Sequence, residues 1–320
     1  PRKFGLDTVE AIMAMHHRVA KVFFALGGNF LSATPDTEYT AEALQRCRLT
    51  VQVSTKLNRA HLITGEQALI LPCLGRTESD VQITGPQFVT TENSMAVVQA
   101  SRGFLDPAAP DLLSESAIVA RLARATLGNR STVNWEELEG NYDLIREHIA
   151  RVVPGFEDYN ERVRRPGGFH LPSAPRERIF NTASKRAAFT IHDLPRLELG
   201  PGQLLMMTIR SHDQFNTSIY SNNDRYRGIH NGRRVILLNR EDIQAAGLSE
   251  GDAVDITSHF EGEERTARRF TVVPYSIPRR CAATYFPETN VLVPVRSVAE
   301  KSNTPTSKSV VISIRPAAAD

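Results

Sequence analysis

The stretch Leu204–Gly232 constrains the fold of this chain more than any other, because its character changes within a few residues. It opens on an apolar run, Leu204–Met207, that is long enough for one buried strand. It then becomes densely polar, with arginine, aspartate, asparagine, glutamine and serine crowded together. Each of these side chains needs a hydrogen-bond partner, so the segment does not bury itself as a core. It is therefore either a solvated loop or the wall of a site for a large polar ligand.

Two features of the same stretch favour a binding site. The aromatic residues Phe215, Tyr220 and Tyr226 are interleaved with the polar ones, which gives the segment bulk to pack. Arginine guanidinium groups present fork-shaped donors that suit phosphate or carboxylate. The stretch carries such forks at Arg210, Arg225 and Arg227.

Length and composition place the chain among ordinary soluble globular proteins. Its 320 residues suffice for two domains with separate cores, and it is 41% hydrophobic and 23% charged. A net charge of +2 requires neither nucleic acid nor an anionic membrane as partner. No apolar run is long enough for a bilayer span, and the start lacks the apolar region of a signal peptide. We expect a cytoplasmic protein, and we interpret a start at proline as a fragment of a longer subunit.

The cysteines Cys47, Cys73 and Cys281 are odd in number and form no CxxC pair. This pattern predicts neither a disulfide framework nor a complete zinc or iron–sulfur site. We expect three reduced thiols and no protein ligand set for a metal within this chain.

The first part of the sequence predicts an α/β layer. Predicted strands at 19–26, 49–53 and 68–71 alternate with polar turns and with helices at 8–17 and 40–47, the second capped by Thr40. Small or polar residues follow the first two strands: Gly28 and Asn29 after one, Ser54 and Thr55 after the other. Such residues let a backbone approach a ligand at the carboxyl end of a parallel sheet. A GxGxxG fingerprint is absent.

The middle of the chain predicts helices and a connecting section. Residues 114–127 form an amphipathic pattern closed by Gly128, with Ile118, Leu122 and Ala125 on one face. From residue 131 a further helical pattern gives way to a run rich in proline, glycine and arginine. We expect residues 131–199 to connect two domains and to pack on a neighbouring one.

The last part predicts a small closed barrel. Strands are expected at 235–238, 281–285 and 310–314, with a hairpin between 253–258 and 266–273. A short helix at 241–246 is expected between the first strand and the hairpin, capped by Asn239 and ended by Gly247. Strand, short helix, hairpin and returning strands together indicate the barrel.

Familiar catalytic patterns are missing. The neighbours Ser211, His212 and Asp213 cannot point at one another as a hydrolase triad does. HExxH and the Gly-rich phosphate loop of nucleotide hydrolases do not occur. We therefore expect no catalytic residue and no metal ligand in this part of the protein.

Four segments in order nevertheless resemble a known family: LMMTIRSHDQFNT, LNREDIQAAGLSEGDAVDITS, YFPETNVLVP and TPTSK. They are similar to the C-terminal barrel of the bis-molybdopterin guanine dinucleotide oxidoreductases, with the formate-dehydrogenase-like alpha subunits as nearest subgroup. The earlier segments FFALGGNF, LTVQVSTKLNRAHLITGEQALILP and TENSMAVVQASRG resemble the dinucleotide-type domain of that family. The resemblance covers nearly the whole chain.

The resemblance implies a fold of class α/β plus β. It implies a Rossmann-like parallel α/β domain over residues 1–130 that binds one guanosine moiety, then the connecting section 131–199. A double-psi β-barrel that binds molybdopterin dinucleotide would follow over residues 200–320.

The resemblance also implies a cofactor and an activity. The cofactor is bis-molybdopterin guanine dinucleotide carrying molybdenum or tungsten, and the missing N-terminal part would hold the metal's protein ligand and a 4Fe-4S cluster. The activity is a two-electron redox reaction of formate or another small substrate. The electron-transfer partner is not specified.

The implied cofactor contacts fall in both parts of the chain. In the first part they are Gly28 and Asn29 near a phosphate or ribose, Ser54 and Thr55 near a guanosine, and Asn93. In the barrel they are Arg210 with a phosphate or pterin edge, then Gln214, Asn216, Asn290 and Lys308 with the pterin. One departure stands at Val53, where many members have an aspartate that accepts the guanine protons. Guanine recognition would then differ or fall to Asn93 and its neighbours.

Two functional classes stay open at this point. One is the oxidoreductase part just described, in which the protein orients a cofactor that carries the chemistry. The other is a non-enzymatic α/β and barrel module that binds a nucleotide or a protein partner, because such folds host many functions.

Overall fold

A computed structural model describes residues 5–193 and 197–318, so the ends of the predicted first domain and barrel (1–4 and 319–320), and residues 194–196 of the predicted connecting section, lie outside the described residues. The helices are α1 Thr8–His16, α2 Phe30–Ala33, α3 Thr37–Gln45, α4 Glu115–Leu127, α5 Trp135–Gly140, α6 Tyr142–Val152, α7 Tyr159–Val163 and α8 Arg240–Ala245. The strands are β1 Val22–Leu26, β2 Leu49–Ser54, β3 Gln67–Pro72, β4 Val81–Gln82, β5 Gly85–Pro86, β6 Val89–Glu92, β7 Val97–Ser101, β8 Phe169–His170, β9 Leu204–Ile209, β10 Val235–Leu238, β11 Ala253–Phe260, β12 Glu263–Pro274, β13 Cys281–Tyr285 and β14 Val310–Pro316.

The chain divides into two compact units. One unit combines the N-terminal segment up to residue 71 with the segment from residue 196 onward, and the other holds residues 72–195. The residues predicted as the first domain, 1–130, are thus distributed over both units. The parallel strands of the predicted α/β layer lie in the first unit.

The first unit contains a closed barrel of six strands in the order β10-β12-β11-β14-β9-β13. Strand β9 pairs in parallel with β13, and β10 pairs in parallel with β12, whereas the remaining neighbours are antiparallel. Side chains alternate along each strand, so every second residue enters the core. That core includes Met206, Ile236, Ile256, Phe270 and Ile312, all fully buried. The predicted closed barrel is confirmed.

The same unit contains a three-stranded sheet in the order β1-β2-β3. Strands β1 and β2 run parallel, as predicted, with Leu26 opposite Val53. Helices α1 and α3 pack on one face of the sheet through a core that contains Ile12, Leu44 and the half-buried Phe23. Asp7 caps α1 in a reciprocal capping box with Glu10, which fixes where that helix begins.

The predicted start of the second helix is wrong. Helix α3 begins at Thr37 rather than Thr40, and Asp36 precedes it in a left-handed conformation with φ of 49°. Thr40 lies inside the helix, where its hydroxyl donates to the Pro35 carbonyl at 2.9 Å instead of accepting from a helix N–H. A threonine hydroxyl can serve either purpose, and the local sequence does not distinguish the two.

The second unit combines short strands with helices. Strands β6, β7 and β8 form one antiparallel sheet, and β4 pairs with β5. Helix α4 begins at Glu115, one residue after the predicted start, because Ser114 caps it and its hydroxyl accepts from the Ala117 N–H. Its buried stripe is Ala117 and Ala120, however, whereas Leu122 of the predicted face is exposed. The periodicity of apolar residues predicted the helix correctly but not its buried face. Alanine can be buried as readily as leucine, so the pattern does not distinguish the two faces.

Candidate cofactor cleft

A cleft of ≈ 420 Å³ lies in the first unit, between the segment that follows β1 and one end of the barrel. Its lining residues are Ala33, Pro35, Thr208, Arg210, Phe286, Asn290, Val293, Thr304, Pro305, Ser307 and Lys308. The cleft brings together Arg210, Asn290 and Lys308, which are separated widely in the sequence. Two of these are cationic, and none of the lining residues is acidic.

Strand register explains why Arg210 and Phe286 are neighbours. Parallel strands β9 and β13 place Ile209 opposite Tyr285, so the residues that follow them leave the barrel side by side. The Phe286 N–H donates to the Ile209 carbonyl at 3.1 Å, which extends the pairing by one residue. The Arg210 guanidinium carbon lies 5.7 Å from the Phe286 ring centroid, within cation–π range. This contact holds the exposed Arg210 side chain over the Phe286 ring, and both residues line the cleft.

Lys308 is held on the opposite side of β9. Its ammonium donates to the Thr208 carbonyl, and Thr208 is a buried residue of that strand. Burial, and after it the nearby charge of Arg210, lower the pKa of Lys308. The cleft thus holds two cations that repel each other, and an anionic ligand would relieve that repulsion.

Asn290 joins the barrel to the segment after β1. Its side-chain NH₂ donates to the Ser32 carbonyl at 2.7 Å, and its own carbonyl accepts from the Asp36 N–H at 2.9 Å. Asp36 is buried and accepts from Arg265 at 2.8 Å, which makes an ion pair between this segment and the hairpin of β11 and β12. The walls of the cleft are therefore fixed by buried polar contacts before any ligand arrives.

Gln214 is occupied by the protein itself. Its amide oxygen accepts from the Ser211 N–H and from Arg233, both at 3.0 Å, and its NH₂ donates to the Asn216 and Phe286 carbonyls. Neither residue is among the lining residues of the cleft, but the Asn216 amide oxygen accepts from the lining residue Arg210 at 2.9 Å. The predicted pterin contacts of both residues stay predictions. Gln214 has fewer hydrogen-bonding positions left for a ligand than Asn216, because its amide already makes several bonds within the protein.

Two buried ionic groups organise the polar stretch after β9. Arg233 pairs with Glu288 at 2.7 Å, and Asp224 pairs with Arg227 at 2.6 Å. Asp224 also accepts from the Tyr285 hydroxyl at 2.8 Å and from the His212 N–H at 3.1 Å. Burial works against ionisation of Asp224, yet these hydrogen bonds lower the pKa of its carboxyl overall. Much of the stretch is thus structural, with its partners inside the protein.

The other predicted contacts of this unit lie at the carboxyl end of the parallel strands β1 and β2, called the sheet edge below. Gly27 and Gly28, with φ of 70° and 76°, turn the chain after β1, and the Gly28 carbonyl accepts from the Asn58 side chain at 3.0 Å. Ser54 lies at the same edge because β1 and β2 are parallel, but its hydroxyl donates locally to the Lys56 carbonyl. Thr55 is exposed.

Asn93 belongs to the second unit. There its amide oxygen accepts from the Met95 and Val97 N–H groups and closes the turn between β6 and β7. Its predicted role in guanine recognition is untested.

Asn58 and His61 were missed by the sequence interpretation. Asn58 caps a short 3₁₀ turn, and its N–H donates to His61 Nδ1 at 2.8 Å. His61 Nε2 and Asn29 Oδ1 are buried without a hydrogen-bond partner among the described residues. Buried polar atoms normally find a partner, so unpaired ones mark this edge as a candidate site. The asparagine and histidine three residues apart, directly after a strand, were the available signal.

The cleft holds two cations and no acidic lining residue, which suits the phosphates of a ligand. The unpaired polar atoms at the carboxyl end of the sheet suit its hydrogen-bonding rings. Together they fit a long ligand that carries both kinds of group. Residues 204–311 match the family model described as "Molydopterin dinucleotide binding domain". This match and the relatives described next support a chain similar to the C-terminal part of a molybdopterin oxidoreductase.

Two relatives and one solved structure are similar to this chain over nearly its whole length. The chain is 50% identical to "Uncharacterized oxidoreductase Rv2900c" of Mycobacterium tuberculosis (strain ATCC 25618 / H37Rv) over 99% of this chain and 42% of that protein. It is 40% identical to "Protein YdeP" of Escherichia coli (strain K12), again over 99% of this chain and 42% of that protein. Acetylene hydratase from Pelobacter acetylenicus shares the fold, with a TM-score of 0.61 and 14% identity over 96% of this chain and 46% of that one. The chain thus spans less than half the length of these relatives.

Two features are absent from the described part of the chain. No helix among them is long and apolar enough to cross a membrane. Across residues 5–193 and 197–318, no three or more histidine, cysteine, aspartate or glutamate side chains are grouped closely enough to hold a metal ion.

Proposed function

We propose that this chain is a cofactor-binding part of a molybdenum- or tungsten-dependent oxidoreductase that uses bis-molybdopterin guanine dinucleotide. The observation that carries the proposal is the cleft beside the barrel, which holds Arg210 and Lys308 within the region that matches the dinucleotide-binding domain. Two cations without an acidic lining residue suit the diphosphate of such a cofactor.

Each group of residues has a distinct part in this proposal. Arg210 and Lys308 would hold a phosphate or an electron-rich pterin edge, and Asn216 would keep Arg210 in place. Asn29 and His61 would pair with polar groups of a nucleotide at the sheet edge. Ser54, Thr55, Asn93, Gln214 and Asn290 stay proposed contacts of lesser weight. When bound, the metal and its dithiolenes would supply two-electron redox chemistry.

The activity follows from family resemblance rather than from the cleft. We propose a formate-dehydrogenase-like reaction on a small substrate, with a 4Fe-4S cluster and the metal's protein ligand in a further part of the polypeptide. Among the relatives, Rv2900c carries the name oxidoreductase, and the resemblance favours formate as the first substrate to test. The proposed Rossmann-like and double-psi descriptions of the two parts belong to the same resemblance.

Analysis of the purified natural gene product tests the proposal. The protein would be expressed with molybdate or tungstate, and its metal content would be measured by mass spectrometry. Acid hydrolysis should then release GMP, at about two per metal ion if both pterins are present, since each guanine dinucleotide ends in one GMP. Absence of molybdenum, tungsten and GMP would refute the proposal and favour the non-enzymatic module.

A further inference from the structure

The side chain of Lys308 is held more firmly than that of an ordinary surface lysine. The Thr208 N–H donates to the Ser307 carbonyl at 2.9 Å, which continues the antiparallel pairing of β9 with β14 beyond Met206 and Val310. Lys308 is thereby placed beside Thr208, and its side-chain nitrogen donates to the Thr208 carbonyl. The amine is therefore fixed at one point of the cleft wall.

This contact leaves the amine able to react. A neutral lysine amine keeps N–H donors and gains a lone pair, so it can stay bonded to the Thr208 carbonyl while the lone pair attacks an electrophile. Burial, and after it the charge of Arg210, lower the pKa of Lys308, and lysines placed next to another cation are activated as nucleophiles in this way. The residue as a whole is exposed, so a reagent from solution can reach it.

Arg210 supplies a binding group for one part of such a reagent. It follows Thr208 by two residues, a separation of about 6–7 Å along an extended chain. Arg210, Thr208 and Lys308 all line the cleft, and none of the lining residues is acidic. A guanidinium binds a phosphate group through paired N–H donors. A molecule whose reactive carbon is next to a phosphate would therefore be held with that carbon beside the amine.

We propose that Lys308 is a site of acylation by acyl phosphates, small molecules in which a carboxylic acid is joined to phosphate by an anhydride bond. Arg210 binds the phosphate, and the Lys308 nitrogen attacks the acyl carbon. A C–N bond forms while the C–O bond to the phosphate breaks, the phosphate leaves with that electron pair, and the amine releases a proton to solvent. The step needs no oxidant, reductant or further reactant.

Acylation of Lys308 would change what the cleft can bind. The modification removes the charge of the amine. Of the two cations that line the cleft, only Arg210 would then remain, so the affinity for anions would fall. A cofactor already in the cleft would block the reaction. That last consequence rests on the proposed function, whereas the acylation itself rests on the geometry of the cleft.

Two acetylating reagents test the proposal in the natural gene product, prepared without cofactor from a host that makes no pterin. Acetyl phosphate carries a phosphate group, and acetic anhydride is the uncharged comparison. Peptide mass spectrometry measures the acetylation of Lys308 and of Lys301, an exposed lysine outside the cleft lining. The ratio of Lys308 to Lys301 acetylation is the readout, because it removes the difference in overall reactivity between the reagents.

We expect the ratio with acetyl phosphate to exceed the ratio with acetic anhydride at least about tenfold, because binding beside the amine raises the effective concentration of the reagent. Added pyrophosphate should abolish this preference by competing for Arg210. Equal ratios with the two reagents would overturn the proposal. A preference that pyrophosphate leaves unchanged would overturn it as well.

Arg210→Gln separates binding of the phosphate from the intrinsic reactivity of Lys308. Loss of the neighbouring charge changes the reactivity toward both reagents, but only the preference for acetyl phosphate depends on the guanidinium. That preference should disappear in Arg210→Gln and persist in Arg315→Gln, which alters an exposed arginine outside the cleft lining. The same preference in both variants would contradict the part assigned to Arg210.

A preparation that contains metal and releasable GMP distinguishes this proposal from the proposed function. If both hold, Lys308 is acetylated in the cofactor-free protein and protected in the loaded protein. Acetylation of Lys308 by acetyl phosphate at equal rates in the two preparations would leave the acylation site standing and contradict the place of the cofactor in the cleft. Loaded protein that retains its cofactor, with no preference for acetyl phosphate in the cofactor-free protein, would refute the acylation site alone.

Discussion

Two polar regions of the same unit differ in where their hydrogen bonds end. Around Asp224 and Arg233 every strong contact is internal: the carboxylate accepts from Tyr285 and Arg227, and the guanidinium pairs with Glu288 and Gln214. In the cleft, by contrast, Arg210 and Lys308 approach each other without an acidic lining residue. The density of polar residues therefore does not identify a binding site. Charged side chains without a counter-charge are the better indicator of a binding site. Variants in the Asp224 and Arg233 region should therefore lower stability, whereas variants in the cleft should lower ligand affinity.

The largest effect on stability is expected at Asp224. Asp224→Ala should lower the free energy of unfolding by about 3–5 kcal/mol, because it leaves the half-buried Arg227 and the buried Tyr285 hydroxyl without their partner. Urea denaturation measures this loss. Asp213→Ala, an exposed neighbour whose contact with Arg225 is 3.8 Å long, should change stability by less than about 0.5 kcal/mol. Equal losses in the two variants would show that the network around Asp224 is not structural.

Acid should reveal the same network. The pKa of Asp224 is lowered in the folded protein, so its contribution is present at neutral pH and is lost as pH falls below the ordinary value of 3.8. The unmodified protein should therefore lose stability more steeply than Asp224→Ala as pH falls through this range. Parallel curves of unfolding free energy against pH would contradict the assignment.

In the cleft the expected pH effect has the opposite direction. The pKa of Lys308 is lowered, so its ammonium loses its proton as pH rises, before the ordinary lysine value of 10.5 is reached. Affinity for pyrophosphate, measured by calorimetry, should fall roughly tenfold as pH rises through that lowered pKa, equivalent to about 1.4 kcal/mol. Stability of the free chain should rise slightly over the same range, since the folded state binds the proton less well.

Lys308→Arg is the control for this titration. Arginine stays charged throughout the range, so the fall in pyrophosphate affinity should disappear in that variant. An unchanged pH profile would show that another group is responsible.

The smallest effects are expected at the sheet edge. Asn58→Ala should cost about 1 kcal/mol of stability, because it removes the cap of the 3₁₀ turn and the bond to Gly28. Asn29→Ala should cost close to nothing, because its buried oxygen has no partner among the described residues. Thermal unfolding measures both. A loss at Asn29 as large as that at Asn58 would indicate that Asn29 is structural rather than reserved for a ligand.

Local sequence patterns predicted the barrel well. Strands β10 and β13 lie at the predicted residues, because short apolar runs between turn residues have few alternative structures. Asn239 caps α8 as predicted, since its side chain accepts from the Glu241 N–H. Such features depend on neighbours within a few residues, which a single sequence displays.

Features that depend on distant partners were not predictable in the same way. The polar stretch was interpreted as a solvated loop or a ligand wall, yet Asp224 and Arg233 find Tyr285 and Glu288 some distance along the chain. The start of α3 depends on Asp36, whose left-handed backbone is secured by Arg265. For the cleft, the residues Arg210, Asn290 and Lys308 came from family resemblance, and the structure adds that they lie together.

Cofactor retention by a double variant tests the central claim most directly. Arg210→Ala with Lys308→Ala would be compared with Lys301→Ala, an exposed lysine outside the cleft lining, in the natural gene product. The account predicts that the double variant loses most of its metal and releasable GMP, while its thermal midpoint stays within a few degrees of the Lys301→Ala control. Metal and GMP contents equal to those of the control would contradict it.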